Sequence, residues 1–359
     1  MAWKYPVSKN SASWPAIDLG ATDSVYIGVG VFVSTDAIGG STIYGTGTGQ
    51  QVIIDGSIAG SNAIDLRSGY YANVGDFVRV SDGAKIFADT RAMILQGFNY
   101  RIENDGAIES LGDGIDIEGY STTVGSKIVN SGTISARAYA IEAYNGTQSI
   151  DLNNSGTITG TYLSFRGGAG KDTIVNSGLM RGLAFLGDGE DFYDGRKGRI
   201  LISDQPGYSG SVDGGGGNDK IYGGAAREEF DGGTGFDRIS GGKGGDILTG
   251  GADGDTFVYN TLKDSTVKPA GRDTITDFEH QLDRIDLSHL HPNTKNDEFR
   301  FVGDGALKRA GDLHFILHDA AGTKNDYTIV EGTVDANSRA DFQIKLTGLI
   351  TLSANDFIL

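Results

Sequence analysis

The sequence predicts an all-β fold, in which a right-handed parallel β-helix continues into a parallel β-roll and ends in a β-sandwich-like C-terminal domain. The chain of 359 residues contains 57 glycines and two different internal repeats, both built from very short apolar segments. Nothing between Pro15 and Pro206 interrupts a long regular structure, because only 5 prolines are present. A hydrophobic content of 38%, with 16 Phe and 15 Tyr, argues against disorder.

The first repeat occupies the N-terminal half, where each copy places a glycine between two short apolar segments, as in IVNSGTISA (128–136). The intervals between these glycines are 27, 23, 26, 24 and 22 residues. The shared glycines are Gly56, Gly83, Gly106, Gly132, Gly156 and Gly178. Strands this short are not stable alone, so the repeat predicts a parallel β-helix with coils of about 22–27 residues, each burying its inward side chains on the next.

An asparagine stands two residues before the shared glycine in four of these copies. The four residues are Asn104, Asn130, Asn154 and Asn176. Stacked in a solenoid, their side chains would hydrogen-bond from coil to coil as an amide ladder. The alternative is that asparagine occurs there only because it tolerates the geometry of the turn.

The second repeat is a nonapeptide, G-G-x-G-x-D-x-U-x, in which U is a large apolar residue. Five copies follow one another without a gap over residues 214–258, and earlier copies stand at 167–175 and 186–194. Six residues form a glycine-rich turn that ends in a carboxylate, and three form a minimal strand. The apolar side chains predicted to fill the thin core are Ile221, Phe230, Ile239, Leu248 and Phe257.

This nonapeptide resembles the hemolysin-type repeat of the repeats-in-toxin (RTX) proteins, which implies a calcium-binding parallel β-roll. Two repeats make one coil, so an ion between stacked turns would be bound by Asp219 with Asp237, Asp237 with Asp255, or Glu228 with Asp246. Backbone carbonyls complete a set of oxygens that suits Ca²⁺ better than Mg²⁺. The predicted metal residues are Gly215, Gly217, Asp219, Gly224, Ala226, Glu228, Gly232, Gly233, Thr234, Gly235, Asp237, Gly241, Lys243, Asp246, Gly250, Ala252 and Asp255, with Asp172 and Asp191 in the earlier copies.

The repeats depart from the pattern at three positions. Ala226 replaces a glycine and Glu228 replaces the aspartate in the second copy, and Asp253 takes a glycine position in the last copy. Without calcium, the stacked carboxylates repel one another, and the small core does not offset the entropy of ordering so much glycine. The resemblance therefore predicts a chain that stays unfolded until it meets calcium outside the cell.

Charge and composition exclude several partners and compartments. A formal net charge of −17 makes nucleic acid an unfavourable partner, and the absence of cysteine excludes disulfides and thiol chemistry. The sequence contains no run of about 18 apolar residues, so no membrane span is predicted. The segment MAWKYPVSKNSASWP lacks the apolar region of a conventional signal peptide, so an export signal is expected elsewhere.

The segment 214–359 resembles the C-terminal region of serralysin-type secreted metalloproteases. The matching stretches are GGADGDTFVYN (250–260), GRDTITDFEHQLDRIDLS (271–288) and LSANDFIL (352–359). In that family the last stretch implies an uncleaved type I secretion signal, hence the type I secretion machinery as a partner and an extracellular or cell-surface location. The zinc-binding H-E-x-x-H motif is absent, which excludes a zinc protease.

Four aspartates after the repeats suggest one further cation site or, equally, solvated loop carboxylates. They are Asp273, Asp277, Asp283 and Asp286.

Two function classes remain open for the β-helix. Its short, regular coils favour a non-enzymatic adhesin, matrix or surface-layer component that binds a polysaccharide or copies of itself. The alternative is a polysaccharide lyase or uronan epimerase, which needs a base and a group that neutralises the uronate. Its candidates are Arg91, Arg101, Arg137 and Arg166 as bases and Asp113 and Asp116 as cation ligands.

The predicted organisation is an N-terminal cap (1–20), the β-helix (21–205), the β-roll (206–258) and a C-terminal capping domain that carries the secretion signal (259–359).

Overall fold

The computed structural model describes residues 2–67, 75–119, 124–143, 146–201, 212–292, 298–320, 325–335 and 337–359. Regular structure in this part of the chain is β-strand, apart from two short 3-10 helices, Pro269–Gly271 and Ala354–Asp356. None of its helices has the length and hydrophobicity needed to cross a membrane. The described residues divide into an N-terminal unit (2–192 and 200–201) and a C-terminal unit (193–199 and 212–359). The predicted all-β parallel solenoid is confirmed.

Each coil of the N-terminal unit begins with a strand of one continuous parallel sheet. In spatial order these strands are Trp3–Lys4, Ser24–Ile27, Gln51–Ile54, Phe77–Val80, Arg101–Asn104, Ser126–Asn130, Ile150–Asn154 and Thr173–Asn176. The remaining strands of the coils are Lys9–Ser11, Ile17–Leu19, Phe32–Thr35, Ser41–Gly45, Ser57–Arg67, Lys85–Gln96, Ala107–Ser110, Asp113–Glu118, Thr133–Ala136, Ile141–Glu142, Thr157–Arg166 and Leu179–Phe185. The strands Phe192–Asp194 and Arg199–Leu201 contain the positions at which the chain passes from one unit to the other.

The second part of each coil turns a corner and so forms two more faces. The strand Lys85–Gln96 pairs through its first half with Ala107–Ser110 and through its second half with Asp113–Glu118. The register shifts between Ala88 and Arg91, where the strand bends. The coil is therefore three-sided, as a β-helix with repeats of 22–27 residues requires.

The predicted asparagine ladder is present. Asn104 Nδ2 donates to Asn130 Oδ1 at 2.7 Å, and Asn130 and Asn154 donate to the next asparagine, the last being Asn176, at 2.8 Å each. These steps are 26, 24 and 22 residues long, within the predicted coil length. The four side chains are buried, so the ladder satisfies amide groups that would otherwise be left without water.

The shared glycine follows from how closely the coils approach. A Cβ at Gly156 would lie 2.1 Å from the carbonyl oxygen of Gly132, and a Cβ at Gly178 would lie 2.1 Å from that of Gly156. Inside the coil, Ile102, Ile128, Leu152 and Ile174 stack in register and are fully buried. The turn therefore excludes any side chain while the strand beside it requires an apolar one.

The C-terminal unit begins as a two-sided roll. One sheet contains Lys220–Tyr222, Arg238–Ser240, Thr256–Val258, Arg284–Asp286 and Phe357–Ile358, in that order. The facing sheet contains Val212–Asp213, Glu229–Thr234, Ile247–Ala252, Thr274–Ile275, Phe342–Thr347, Tyr327–Gly332, Asp312–His318 and Arg300–Phe301. Stacked nonapeptide residues are 18 positions apart. The apolar residues predicted for the thin core are all buried.

The last part of the C-terminal unit changes from parallel to antiparallel pairing. Asp312–His318, Tyr327–Gly332 and Phe342–Thr347 form an antiparallel meander, whose last strand pairs in parallel with Thr274–Ile275. Both sheets of the roll thus continue into this region. Phe301 on one sheet lies 5.2 Å, ring to ring, from Phe357 on the other, which gives the predicted sandwich-like packing.

The predicted domain boundaries stay predictions. The boundary between helix and roll, at 205/206, lies outside the described residues. The expected cap, residues 1–20, contains strands that already pair in parallel with the following coil, Trp3–Lys4 with Ser24–Ile27 and Lys9–Ser11 with Phe32–Thr35. The expected roll and capping domain fall together in the C-terminal unit.

Candidate metal centre

A column of carboxylates, here called the first column, lies at the entrance to one sheet of the C-terminal unit. It contains Asp219, Asp237, Asp255 and Asp283, and each residue immediately precedes a strand. The backbone N–H of each aspartate donates to Oδ1 of the next, at distances of 2.7, 2.9 and 2.9 Å. The two pairs predicted for this side, Asp219 with Asp237 and Asp237 with Asp255, are therefore on adjacent turns.

A second column lies at the entrance to the facing sheet and contains Glu228, Asp246 and Asp273. The N–H of Glu228 donates to Asp246 Oδ1 at 2.9 Å, and the N–H of Asp246 donates to Asp273 Oδ1 at 2.9 Å. The third predicted pair, Glu228 with Asp246, is thus also brought together. All members of both columns are buried.

Each column leaves buried carboxylate oxygens unpaired. Within the described residues, the second oxygen of several members has no hydrogen-bond partner; these atoms are Oδ2 of Asp237, Asp246 and Asp255 and Oε1 of Glu228. A buried acceptor without a donor is costly, and a charged one more so. These oxygens need a proton or a cation.

The glycine that opens each turn leaves space beside these oxygens. A Cβ at Gly232 would lie 2.3 Å from Asp237 Oδ2 and 2.6 Å from the carbonyl oxygen of Gly250. In the second column, a Cβ at Gly223 would lie 2.3 Å from Gly241 O and 2.4 Å from Glu228 Oε2. The opening glycines therefore keep clear a space that is lined by carboxylate and carbonyl oxygens. This donor set fits a hard cation such as Ca²⁺.

Burial gives the carboxyl groups of both columns unusual pKa values. Desolvation raises the pKa of Asp237, Asp246 and Asp255 to about 7 and that of Glu228 to about 8. Burial, with the neighbouring Asp246 carboxylate as the next cause, raises the pKa of Asp273 well above its ordinary value. Near neutral pH these carboxyl groups therefore lose their protons readily only if a bound cation takes the place of the protons.

The other predicted ligands are backbone groups of the turns. The N–H of Thr234 donates to Gly215 O, and that of Lys243 donates to Gly224 O, both at 2.8 Å. The N–H of Gly235 donates to Ala252 O at 3.1 Å. Turns of one column are thus stacked backbone on backbone. The predicted residues located in these stacked turns are Gly215, Gly217, Gly224, Ala226, Gly232, Gly233, Thr234, Gly235, Gly241, Lys243, Gly250 and Ala252.

The irregular second repeat keeps its carboxylate in the column. Glu228 Oε2 accepts the N–H of Gly224 in its own turn at 2.7 Å, so the longer side chain bends back while Oε1 stays without a partner. In the last repeat, Asp253 adopts φ of 76°, the left-handed conformation that a glycine would supply. Neither substitution breaks the stacking of the turns.

The earlier copies place the same arrangement in the N-terminal unit. Asp172 Oδ1 accepts the N–H of Ile150 at 2.7 Å, and the N–H of Asp172 donates to Asp191 Oδ1 at 2.6 Å. Asp172 Oδ2 is buried without a partner, and a Cβ at Gly167 would lie 2.3 Å from it. Burial and then the Asp191 carboxylate raise the pKa of Asp172 well above its ordinary value.

The four aspartates after the repeats do not form one site. Asp273 extends the second column and Asp283 the first, while Asp286 pairs with Arg238 at 2.7 Å and Asp277 accepts the N–H groups of Gly250 and Gly251. The signal that identifies the two column members is the triplet of aspartate, any residue and an apolar residue, DTI (273–275) and DRI (283–285), which recurs without the glycines.

The segment 352–359, expected to carry the export signal, is folded into the C-terminal unit. Asp356 is fully buried and accepts the N–H of Gln281 at 2.9 Å, while His280 Nδ1 lies 2.9 Å from both of its carboxylate oxygens. The strand Phe357–Ile358 pairs in parallel with Arg284–Asp286.

Four of the six candidates for an enzymatic β-helix lie on one face of the N-terminal unit. Arg91 is 3.8 Å from Asp113 and 3.5 Å from Asp116, and Arg166 is 3.0 Å from Glu142, a residue that sequence reasoning missed. Strand pairing places Asp116 beside Glu142 and Glu142 beside Arg166. Burial raises the pKa of Asp116 to about 7.

The other two candidates lie apart from this face. Arg101 pairs with Glu103 on the sheet that carries the asparagine ladder. Arg137 lines a shallow groove together with Phe87, Glu109 and Thr133.

No three His, Cys, Asp or Glu side chains of the described residues converge as a metal-binding group. The columns instead supply pairs of carboxylates with backbone carbonyls around them.

Comparison with known proteins shows similarity to one family across most of the chain. The family described as the peptidase M10 serralysin C terminal matches residues 16–359, a longer span than the 214–359 expected from the motifs. Serralysin A of Dickeya chrysanthemi is 36% identical over 106 residues, which are 29% of this chain and 20% of that protein. The matched segment thus covers about a fifth of the relative's length.

Proposed function

The chain belongs to the peptidase M10 serralysin C-terminal family, and on this premise we propose that it is a secreted RTX protein that folds when its glycine-rich turns bind calcium. One observation carries the proposal: the two columns repeat, turn after turn, a buried carboxylate with an oxygen that lacks a partner. The association of this family with calcium binding and secretion supports the same conclusion.

In this proposal each calcium site has a pair of carboxylates. Asp219 with Asp237, Asp237 with Asp255, and Glu228 with Asp246 would hold ions between adjacent turns, and Asp172 with Asp191 would hold one in the N-terminal unit. Carbonyl groups of the turn residues would complete the oxygen ligands. When bound, calcium supplies the positive charge that buried, mutually repelling carboxylates lack, so its binding free energy becomes folding free energy.

Protonation of the column carboxylates is the alternative to calcium binding. With pKa values near 7 for Asp237 and Asp255, protons fill the column only below neutral pH. In a neutral medium without calcium, the folded state would therefore keep repelling charges in its interior. The chain would stay unfolded where calcium is scarce and fold where it is plentiful.

We further propose export by type I secretion machinery, with the segment 352–359 as its signal. The burial of Asp356 and the pairing of Phe357–Ile358 support an order of events. A folded C-terminal unit hides this segment, so the machinery would have to recognise it before calcium-driven folding. This order agrees with folding outside the cell.

The test of calcium-dependent folding is far-UV circular dichroism of the full chain during titration with calcium. We expect a disordered spectrum in chelator, a cooperative gain of β-structure with Ca²⁺, and no comparable gain with Mg²⁺. A chain that has its complete β-structure in chelator would contradict the proposal.

Outside the cell, we propose a non-enzymatic role as an adhesin, matrix or surface-layer component that binds a polysaccharide or copies of itself. A three-sided solenoid presents the same positions on every coil, as at Ala107, Thr133 and Thr157, which are register neighbours. Proton NMR of acidic and neutral polysaccharides mixed with the protein in calcium tests this role. Selective broadening of one polymer supports glycan binding, and unchanged spectra with calcium-dependent oligomers support self-assembly.

A second candidate function, a polysaccharide lyase or uronan epimerase, is favoured by the cluster of Arg91, Asp113, Asp116, Glu142 and Arg166. Arginines could neutralise a uronate carboxylate while a carboxyl group of raised pKa transfers a proton. In the same NMR experiment, unsaturated or epimerised sugar signals would establish this activity. Arg91→Gln should then abolish the activity, whereas Arg101→Gln, outside the cluster, should leave it unchanged.

A further inference from the structure

The N-terminal unit contains a pair of buried oxygens outside the nonapeptides. Gln50 directly precedes the strand Gln51–Ile54 and is fully buried. Its Nε2 donates to the carbonyl oxygen of Gly20 at 2.7 Å, which orients the amide, and its Oε1 has no hydrogen-bond partner in the described part of the chain. An amide oxygen is therefore fixed in the interior without a donor.

The second oxygen lies one coil further along. Asp76 directly precedes the strand Phe77–Val80 and is 1% exposed. Its Oδ1 accepts the backbone N–H of Gln50 at 2.8 Å, and its Oδ2 has no hydrogen-bond partner among the described residues. Each of two adjacent coils thus buries an acceptor that lacks a described donor, and the two residues are linked through the backbone N–H of Gln50.

The surroundings of Asp76 supply no compensating charge. Burial raises the pKa of Asp76 to about 6, while the N–H groups of Gln50 and Gly49 lower it. No cationic side chain of the described residues contributes to this pKa.

We propose that Gln50 Oε1 and Asp76 Oδ2 bind a calcium ion between two coils of the N-terminal unit. The link from the N–H of one residue to Oδ1 of the next is the one that joins Asp219 to Asp237. In both places a glycine five residues earlier lies against the unpaired oxygen. A Cβ at Gly45 would lie 2.3 Å from Gln50 Oε1, and a Cβ at Gly232 would lie 2.3 Å from Asp237 Oδ2.

The site differs from the nonapeptide sites in charge. It supplies one carboxylate and one amide oxygen, where the nonapeptide pairs supply two carboxylates. Calcium affinity rises with the number of charged ligands, so this site, which has fewer of them, should fill at higher calcium than those of the two columns. It rests on the proposed function only in the choice of calcium as the ion.

The first test counts calcium bound by the full chain after equilibrium dialysis against millimolar calcium. Asp76→Asn should reduce the count by one ion per chain and still fold, because the asparagine oxygen can still accept the N–H of Gln50. The matched control is Asp55→Asn in the neighbouring turn, whose carboxylate already accepts from Tyr26 and Ser81. The control should leave the count unchanged, and an unchanged count for Asp76→Asn would overturn the proposal.

A second variant tests the charge argument in the opposite direction. Gln50→Glu supplies the second carboxylate that Glu228 and Asp246 provide elsewhere, so the affinity of this site should rise, by on the order of tenfold. Long-wavelength anomalous diffraction from crystals grown in calcium should show a calcium peak between residues 50 and 76. A water molecule at that position would overturn the assignment.

The same counts separate this inference from the proposed function. Asp237→Asn should remove ions from the first column and leave the Gln50–Asp76 ion in place. Loss of ions in Asp237→Asn but not in Asp76→Asn refutes the new site alone. The reverse result refutes the role of the columns while supporting the new site.

Discussion

The backbone N–H of Asp237 donates to Oδ1 of Asp255 at 2.9 Å, while Oδ2 of Asp255 is buried without a partner. One carboxylate oxygen thus holds adjacent turns together, and the other is left for a cation. The structural and proposed metal-binding roles of these residues therefore belong to different atoms of one side chain, which makes them separable by substitution.

Asp237→Asn should be destabilising, and its cost should be larger at saturating calcium than at the lowest calcium concentration that folds the parent chain. Asparagine keeps an acceptor for the N–H of Asp219, but removes the charge shared by two predicted sites. We expect a loss of about 2–4 kcal/mol in unfolding free energy at saturating calcium, the linkage energy of ions bound well above their Kd. Urea unfolding at saturating calcium and at the lowest calcium concentration that folds the parent measures the difference.

The matched control for this prediction is Asp253→Asn in the last repeat. Asp253 is exposed and left-handed, and asparagine tolerates that conformation. It should change the unfolding free energy by less than about 0.5 kcal/mol in either condition. Equal losses for Asp237→Asn at the two calcium concentrations would mean that the column is only structural.

Asn130→Ala should break the asparagine ladder at its centre. Asn130 accepts from Asn104 and donates to Asn154, so its removal leaves a buried donor and a buried acceptor unpaired. We expect a loss of about 2–4 kcal/mol of unfolding free energy at any calcium concentration that folds the chain, since each orphaned group costs about 1–3 kcal/mol. Asn153→Ala, on the partly exposed side of the neighbouring strand Ile150–Asn154, should cost less than about 0.5 kcal/mol.

Gly156→Ala should prevent the coils from stacking. The added methyl group would lie 2.1 Å from the carbonyl oxygen of Gly132, a backbone atom that cannot move without disturbing the neighbouring coil. Thermal unfolding should show a loss of more than about 3 kcal/mol, or no folded protein. Gly30, unlike Gly156, has a positive φ of 75°, but the space around it is open, so Gly30→Ala should cost only about 1 kcal/mol.

The sequence predicts the repeated parts of this molecule well, because repetition fixes both the coil length and the side-chain register. The intervals between shared glycines predict the ladder from Asn104 to Asn176, and the apolar position of each nonapeptide predicts the core residues of the roll. Within the nonapeptides, the pairing of Asp219 with Asp237 follows from the same arithmetic.

The sequence predicts poorly where a column continues without its glycines. Asp273 and Asp283 join the two columns after steps of 27 and 28 residues, because longer loops bring the chain back to the same register. Gln50 and Asp76 occupy equivalent places with no motif at all. Only the stacking of coils in three dimensions reveals that these residues face one another.

The pH dependence of stability should identify Asp116 as a buried carboxyl on the face that it shares with Arg91 and Glu142. Burial raises its pKa to about 7 in the folded protein, against 3.8 for an ordinary aspartate, while Arg91 opposes the shift. The folded state therefore binds this proton more tightly than the unfolded state. The stability it contributes is fully present below about pH 4 and is lost as the pH rises through 7.

Asp116→Asn mimics the protonated form and removes this dependence. The unfolding free energy of the variant relative to the parent should rise between pH 4 and 7, by up to about 1.4 kcal/mol per pH unit, and level off above pH 7. Urea unfolding at saturating calcium across this range measures it, and Asp105→Asn, at an exposed turn position, is the control. A flat difference between variant and parent would mean that Arg91, only 3.5 Å away, compensates fully for the burial of the carboxylate.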